Sequence, residues 1–322
     1  MAFIFRRLFH TFILLFLVLT FVFMAGRMIG DPALNILGPS ATEQALERLR
    51  ENLGLNDPIL VQYVNFLRGV FGRGSFGISY RYGLTQPTAE QFEHGGYEVM
   101  PIVFERLPAT FLLAGVAISI AVIIALLLGC LAAMKPRSWA DKLVNVFSLA
   151  GVSIVQFWLG LMLILLVSVR LGLLPTSGYG SWRHVILPAL TLAARPMGRL
   201  AQVIKSSMLD ELSKPYIIAV RSKGISHMRV VFVHALKNAA IPMVTLLGSE
   251  MSSLLTGTIL VETVFAWPGI GSLLMSSLTR RDLPLVQAGI FTIAVLVVII
   301  NFIIDITYTF LNPQVRFSSS EE

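Results

Sequence analysis

The chain has 322 residues, 55% of them hydrophobic and only 13% charged. Soluble globular domains carry roughly 25% charged residues, so a soluble enzyme or binding domain is excluded and the chain reads as an all-α integral membrane protein. The net charge of +7 does not indicate nucleic acid, because the basic residues sit mainly in short loops beside apolar spans, where they orient a protein in lipid.

A helix needs about 20 apolar residues to cross the hydrocarbon. Six stretches meet that length in chain order: 9–28, 107–133, 143–168, 185–205, 239–262 and 285–310. The first follows Arg6 and Arg7 and is read as a retained helix, since its apolar run is long and no small-x-small cleavage site follows. Its Phe9, Phe12, Phe16, Phe21 and Phe23 are expected to face lipid.

Residues 29–106 form a long excursion between spans one and two. Ala41-TEQALERLREN has helical spacing, with Ser40 or Thr42 as N-cap and Gly54 as stop. A second short helix is expected over Pro58–Val70, and 82–100 reads as a surface insertion. The domain organisation expected is 1–28 as the first span, 29–106 as the excursion, 107–311 as the core, and 312–322 as a tail.

Lys and Arg fix the expected orientation. Arg6, Arg7, Lys135, Arg137, Lys142, Lys205, Lys214, Arg221, Lys223, Arg229, Lys237 and Arg316 all fall on one side. The positive-inside rule puts both termini and the loop 207–238 in the cytoplasm, and the excursion outside.

That loop holds the most informative stretch, Tyr216-IIAVRSKG-ISHMRVVFVHALKNAAIP. It is polar, basic and amphipathic, between two apolar spans. One side carries Tyr216, Ile217, Val220 and Gly224, a face suited to a groove on a soluble partner. The same periodicity suits a basic helix lying on lipid headgroups. Spacing alone leaves both open.

Polar residues inside spans are expensive and are functional candidates by default. Arg195 and Arg199 share a face of span four, either snorkelling or lining a path that meets a cargo carboxylate. Glu250 lies among serines in span five, and Asn301 and Asp305 share a face of span six. Glu262 with Trp267-Pro268-Gly269 reads as an outer gate or rim. Gly248 and Gly257 permit close helix packing, including packing between two permease chains. Cys130 is a small apolar residue of a span, and metal-ligand spacing is absent. A phosphate-binding G-x-x-x-x-G-K-[S/T] loop is also absent, so no cofactor is expected on this chain.

The 216–242 segment resembles the coupling loop of ABC-transporter permeases of the dipeptide, oligopeptide and nickel type, in the first-permease form. Tyr216, Ile217, Arg221, Lys223, Gly224, His234, Leu236, Asn238, Ala239 and Pro242 carry the match. Ala219 and Val220 stand where that family usually has Thr and Ala, and Ser222 replaces Ala. Further blocks agree in order: Gly30-Asp-Pro-Ala, Leu53-Gly-Leu-Asn-Asp-Pro, Arg106-Leu-Pro-Ala-Thr, Val261-Glu-Thr-Val-Phe-Ala-Trp-Pro-Gly-Ile-Gly, Arg281-Asp and Asn312-Pro. Gly74–Ser79 and the insertion 82–100 depart from the family pattern.

The resemblance implies a six-helix type I importer permease with a cytoplasmic coupling helix. It implies a second homologous permease, two cytoplasmic ATPases that bind the ATP, and an external substrate-binding protein. It places Tyr216, Ala219, Arg221, Lys223 and Gly224 at the ATPase contact. Arg195, Arg199, Glu250 and Asp305 become candidates for the translocation path of a peptide or related solute. An ATP-independent transporter or channel is the alternative reading of the residues alone.

Overall fold

The computed structural model describes residues 2–28, 31–38, 41–79, 82 and 96–311. They fall into two compact units, Met1–Thr110 with Pro268–Val298, and Phe111–Trp267 with Ile299–Glu322.

In the first unit, helix Ala2–Met28 leads to two short capped helices. Asp31 caps Pro32–Leu37, accepting from Ala33 N at 2.9 Å, with Pro at the first helical position where its missing N–H costs nothing. Thr42 caps Glu43–Asn52, accepting from Ala45 N. Gly54, at φ 63°, closes that helix through Gly54 N to Glu51 O and Leu55 N to Arg50 O. Ser40 lies outside the described residues. Helix Ile59–Arg68 then widens into a π-helical turn, Gly69–Arg73.

The all-α expectation misses one small feature. Ile78–Ser79 pairs antiparallel with Tyr97–Glu98, in the register Ile78 with Glu98 and Ser79 with Tyr97. Two residues a side carry no periodic signal. Most of the insertion, residues 83–95, lies outside the described residues. The helix carrying span two starts at Val99 and runs through Pro108 to Met134, because helical backbone extends beyond the apolar window that defines a span.

Leu19, Val103, Leu273 and Leu285 anchor the core of this unit. An aromatic file runs through it: Phe23 to Phe66 at 5.4 Å, Phe66 to Phe76 at 5.9 Å, and Phe76 to Phe291 at 5.3 Å between ring centroids. Offset and tilted rings contribute about 0.5–1.5 kcal/mol per pair beyond area burial. Phe9, Phe12, Phe16 and Phe21 are exposed as expected, but Phe23 is 4% exposed and belongs to this core. Apolarity alone cannot separate a lipid-facing ring from a packed one.

The second unit is organised around helix Trp182–Leu212. Helices Trp139–Ser153 and Leu236–Val264 both pack along it. The approach to the first is backbone to backbone. A Cβ at Gly151 would stand 2.5 Å from Ala194 O, and one at Gly198 would stand 2.9 Å from Ser148 Cα. Gly248 and Gly257 also serve packing within this chain, facing Ile304 and Gln156.

Span three is not straight. Trp139–Ser153 and Gln156–Leu163, which continues as the π-helical Ile164–Arg170, meet at a break bent by 110°. Ile154 and Val155 are extended there, and a run of β-branched residues favours that conformation.

Among the described residues, four helices are long and apolar enough to cross a membrane, or five if the bent pair counts as one span. The six-span expectation is therefore not reproduced in full. The expected span 185–205 is helical, but it carries Arg195, Arg199, Gln202 and Lys205. Its apolar residues serve internal packing: Leu187, Leu192, Leu200 and Ile204 are all buried.

Candidate functional site

Helix Trp182–Leu212 ends at the segment singled out in the sequence. Lys214 is the N-cap of helix Pro215–Ser222, which carries Pro at its first position. The helix stops at Ser222, and Gly224 takes φ 76°, a left-handed value that glycine adopts without strain. The chain then returns through His227–Arg229 and the π-helical Val230–Ala235 into Leu236–Val264.

The segment is fastened on one side and open on the other. Ile217 is fully buried within the unit. The Tyr216 hydroxyl donates to Glu211 Oε2 at 2.8 Å and accepts from Asn238 Nδ2 at 3.2 Å. Lys214 also pairs with Glu211. Burial lifts the Glu211 carboxyl, but the bonds from Lys214 and Tyr216 outweigh it and hold the group below the usual carboxylate value. Burial, then the Glu211 bond, pushes the Tyr216 phenol up. Ile218, Ala219, Arg221, Ser222, Lys223 and Gly224 are exposed. Of the face that periodicity suggested, Ile217 is buried and anchors the helix inward, Val220 is half-buried, and Tyr216 and Gly224 are exposed.

The polar residues of the spans meet partly as expected. Arg199 Nη1 binds Glu250 Oε1 at 2.9 Å, joining the 182–212 and 236–264 helices. The Glu250 side chain is 2% exposed and that of Arg199 is 42% exposed. Arg195, one turn earlier, is exposed. Asn301 accepts from Ser252 at 2.8 Å and so links the last helix to Leu236–Val264. Asp305 lies in that last helix, but its side chain is outside the described residues.

At the rim candidates, Glu262 and Trp267 are both buried, Trp267 edge-on to Tyr179 at 4.8 Å between centroids. Gly178 N donates to Phe265 O at 2.9 Å, so the 171–181 loop is tied to this turn. Pro268 is half-buried, and Gly269 caps helix Ile270–Thr279.

Sequence reasoning missed three participants. Gln202 accepts from Ser148 at 3.0 Å, and Lys205 pairs with Asp141 and donates to Asn145 at 2.9 Å. With Arg195 and Arg199 they form a polar stripe at three- and four-residue spacing, a signal present in the sequence. Glu211 was missed too. Only the turn at Ser213 brings it to Tyr216, and no spacing rule anticipates that.

Comparison with known proteins shows the family. Residues 125–317 match the family described as the binding-protein-dependent transport system inner membrane component, and residues 1–114 match the N-terminal region of such membrane components. The chain is 37% identical over 316 residues to the glutathione transport system permease protein GsiC of Escherichia coli strain K12, covering 98% of this chain and 99% of that one. The Shigella dysenteriae serotype 1 protein of the same name matches to the same extent. Among solved structures, an amino acid ABC transporter crystallised with histidines matches with a TM-score of 0.51 at 16% identity, over 70% of this chain and 98% of that one. That likeness concerns the fold alone. The chain belongs to the inner-membrane permease family of binding-protein-dependent ABC importers: a multi-pass membrane subunit that works in a complex with other subunits, with ATP hydrolysis on a separate one.

Proposed function

We propose that this permease pairs with a second homologous permease to form the translocation path, with two cytoplasmic ATPases below and an external substrate-binding protein above. Both termini and the 207–238 loop are cytoplasmic in this reading, following the Lys and Arg distribution. The nucleotide is bound by the ATPases and none by this chain.

The single observation behind the coupling assignment is the two-sidedness of helix Pro215–Ser222. Its inner side is fastened by Ile217 and Tyr216, while Ala219, Arg221, Lys223 and Gly224 stand open at its end. A helix gripped by its own protein on one side and free on the other passes a push on its open face to the helices it is fastened to. Here those are Trp182–Leu212, through Glu211, and Leu236–Val264, through Asn238. Rigid-body motion of that kind switches access between the two sides of the membrane, driven by the differential contact of the ATPases with two permease states.

For the path, we assign Arg195, Arg199, Glu250 and Asp305 to its wall, and Glu262, Trp267, Pro268 and Gly269 to its outer end. Arg199 neutralises Glu250 yet keeps an accessible guanidinium face, and exposed Arg195 adds a second cation. Such a wall suits a solute bearing carboxylates, and a peptide such as the glutathione named for the relatives has that chemistry.

Co-purification from mild detergent is the test. The ATPases come down with the wild-type chain and are lost from Arg221→Glu/Lys223→Glu. Full retention of ATPase by that charge-reversed variant would overturn the contact assignment.

A further inference from the structure

The first unit contains a cavity of about 610 Å³ that the coupling and path assignments do not use. Its place in the membrane is set by two helix ends. Arg27 is the last residue of the apolar stretch Phe9–Arg27, and Leu283 is the first of Leu283–Ile304; both line the cavity. It therefore lies where two membrane-crossing helices leave the hydrocarbon, at headgroup level.

Its lining divides by chemistry. Phe23, Phe66 and Phe76 supply an apolar wall, continuous with the aromatic file of the core. Arg27, Arg73 and Arg281 supply three guanidiniums. Against these three arginines the lining holds one acid, Asp282, which is buried and accepts a hydrogen bond from the Ser79 hydroxyl. Arg27 is held in place: it donates to Gln62 Oε1 and lies over the Phe23 ring, 5.4 Å from its centroid.

Arg281 adds an independent observation. It follows helix Ile270–Thr279 with φ 55°, and Arg281 N binds Leu278 O at 3.1 Å while Asp282 N binds Ser277 O at 2.8 Å. That pair of bonds is the closure in which glycine normally takes the left-handed position. An arginine kept there bears backbone strain, and strain of this kind gathers where a side chain has work to do.

A headgroup-level cavity of this size, with an apolar wall and clustered guanidiniums, matches one abundant ligand chemistry: a phosphate joined to an apolar body. We propose that this cavity binds an anionic phospholipid, its phosphate among Arg27, Arg73 and Arg281 and its glycerol and first methylenes against Phe23 and Phe66. The site is built from the ends of two membrane spans and from excursion residues such as Phe66 and Arg73, and is independent of the coupling helix.

The test uses the full chain purified in mild detergent and reconstituted into nanodiscs holding equal phosphatidylglycerol and phosphatidylcholine, with tightly held lipid read by native mass spectrometry. The wild type retains phosphatidylglycerol in preference to phosphatidylcholine. Arg73→Gln and Arg281→Gly each lower that retention about tenfold, the loss expected for one charge-assisted contact. The control Arg281→Lys, which keeps the charge at the same backbone position, retains the lipid, which separates lost binding from lost folding. Equal retention of the two lipids, or unchanged retention in both variants, overturns the proposal. Displacement of bound phosphatidylglycerol by millimolar inorganic phosphate, with full thermal protection by phosphate alone, also overturns it in favour of a free-anion site.

Discussion

The Tyr216 hydroxyl donates to Glu211 Oε2 at 2.8 Å, across the turn that separates the end of one long helix from the start of the exposed basic one. Because Asn238 donates to the same hydroxyl, one phenol oxygen touches both long helices that flank the loop. Tyr216→Phe keeps the ring and removes that link. The expected outcome is normal insertion and normal ATPase binding, but several-fold fewer solute molecules moved per ATP in proteoliposomes. A transport-to-hydrolysis ratio equal to wild type would refute a transmitting role.

Gly224 has open space around its missing Cβ, so substitution there acts through the backbone alone. At φ 76° an L-residue costs about 1–2 kcal/mol. Gly224→Val should shift the end of the basic helix and reduce solute-stimulated ATPase activity, with membrane insertion unchanged. Gly224→Asn, which tolerates left-handed backbone better, should retain more activity. An equal loss in both would point to lost contact area and away from strain.

The Arg199–Glu250 pair is asymmetric, with the carboxylate buried and the guanidinium partly open. Removing one partner of a fully buried pair costs about 3–5 kcal/mol, and partial exposure of Arg199 makes the cost here smaller. Arg199→Met strands Glu250, so the melting temperature falls. Arg199→Met/Glu250→Met removes the stranded charge and regains part of the loss. A double variant less stable than Arg199→Met would show that the pair is not what makes Arg199 important to the fold.

Two glycines predict a graded packing series. A Cβ at Gly151 meets backbone, Ala194 O, whereas one at Gly248 meets the Ile304 side chain, which yields more readily than backbone. Gly151→Ala should destabilise by about 1–3 kcal/mol, as overpacking does, and Gly248→Ala by less. Thermal unfolding in one detergent checks the order.

The excursion has its own pH response. Burial raises the Asp31 carboxyl, but bonds from Arg50 and from Ala33 N outweigh this and hold it below its ordinary value. Glu47 is also held low, by Asn56 and then Arg50. A carboxyl depressed on folding stabilises above its unfolded value of about 3.9–4.3 and loses that contribution as pH falls through the folded value. Hydrogen exchange in 43–52 should therefore accelerate, beyond the intrinsic pH effect, below about pH 4. Arg50→Gln should flatten that response.

Several features were legible locally. Thr42, through its hydroxyl, and Gly54, through its left-handed backbone, bound their helix as expected, because capping is decided within four or five residues. The break at Ile154 was invisible, since a hydropathy window counts apolar atoms and ignores where the backbone turns extended. Phe23 was misplaced for a related reason: both lipid and core accept a phenyl ring.

The sequence by itself determined the membrane class, the basic interruption between spans and the ordered blocks that mark the family, because each is written in residues adjacent along the chain. The tertiary structure alone decided that Arg199 meets Glu250, that Ile217 faces inward and that Tyr216 reaches Glu211 and Asn238. Those outcomes depend on how each helix is rotated about its axis and how closely its neighbours approach, quantities that composition and spacing do not carry.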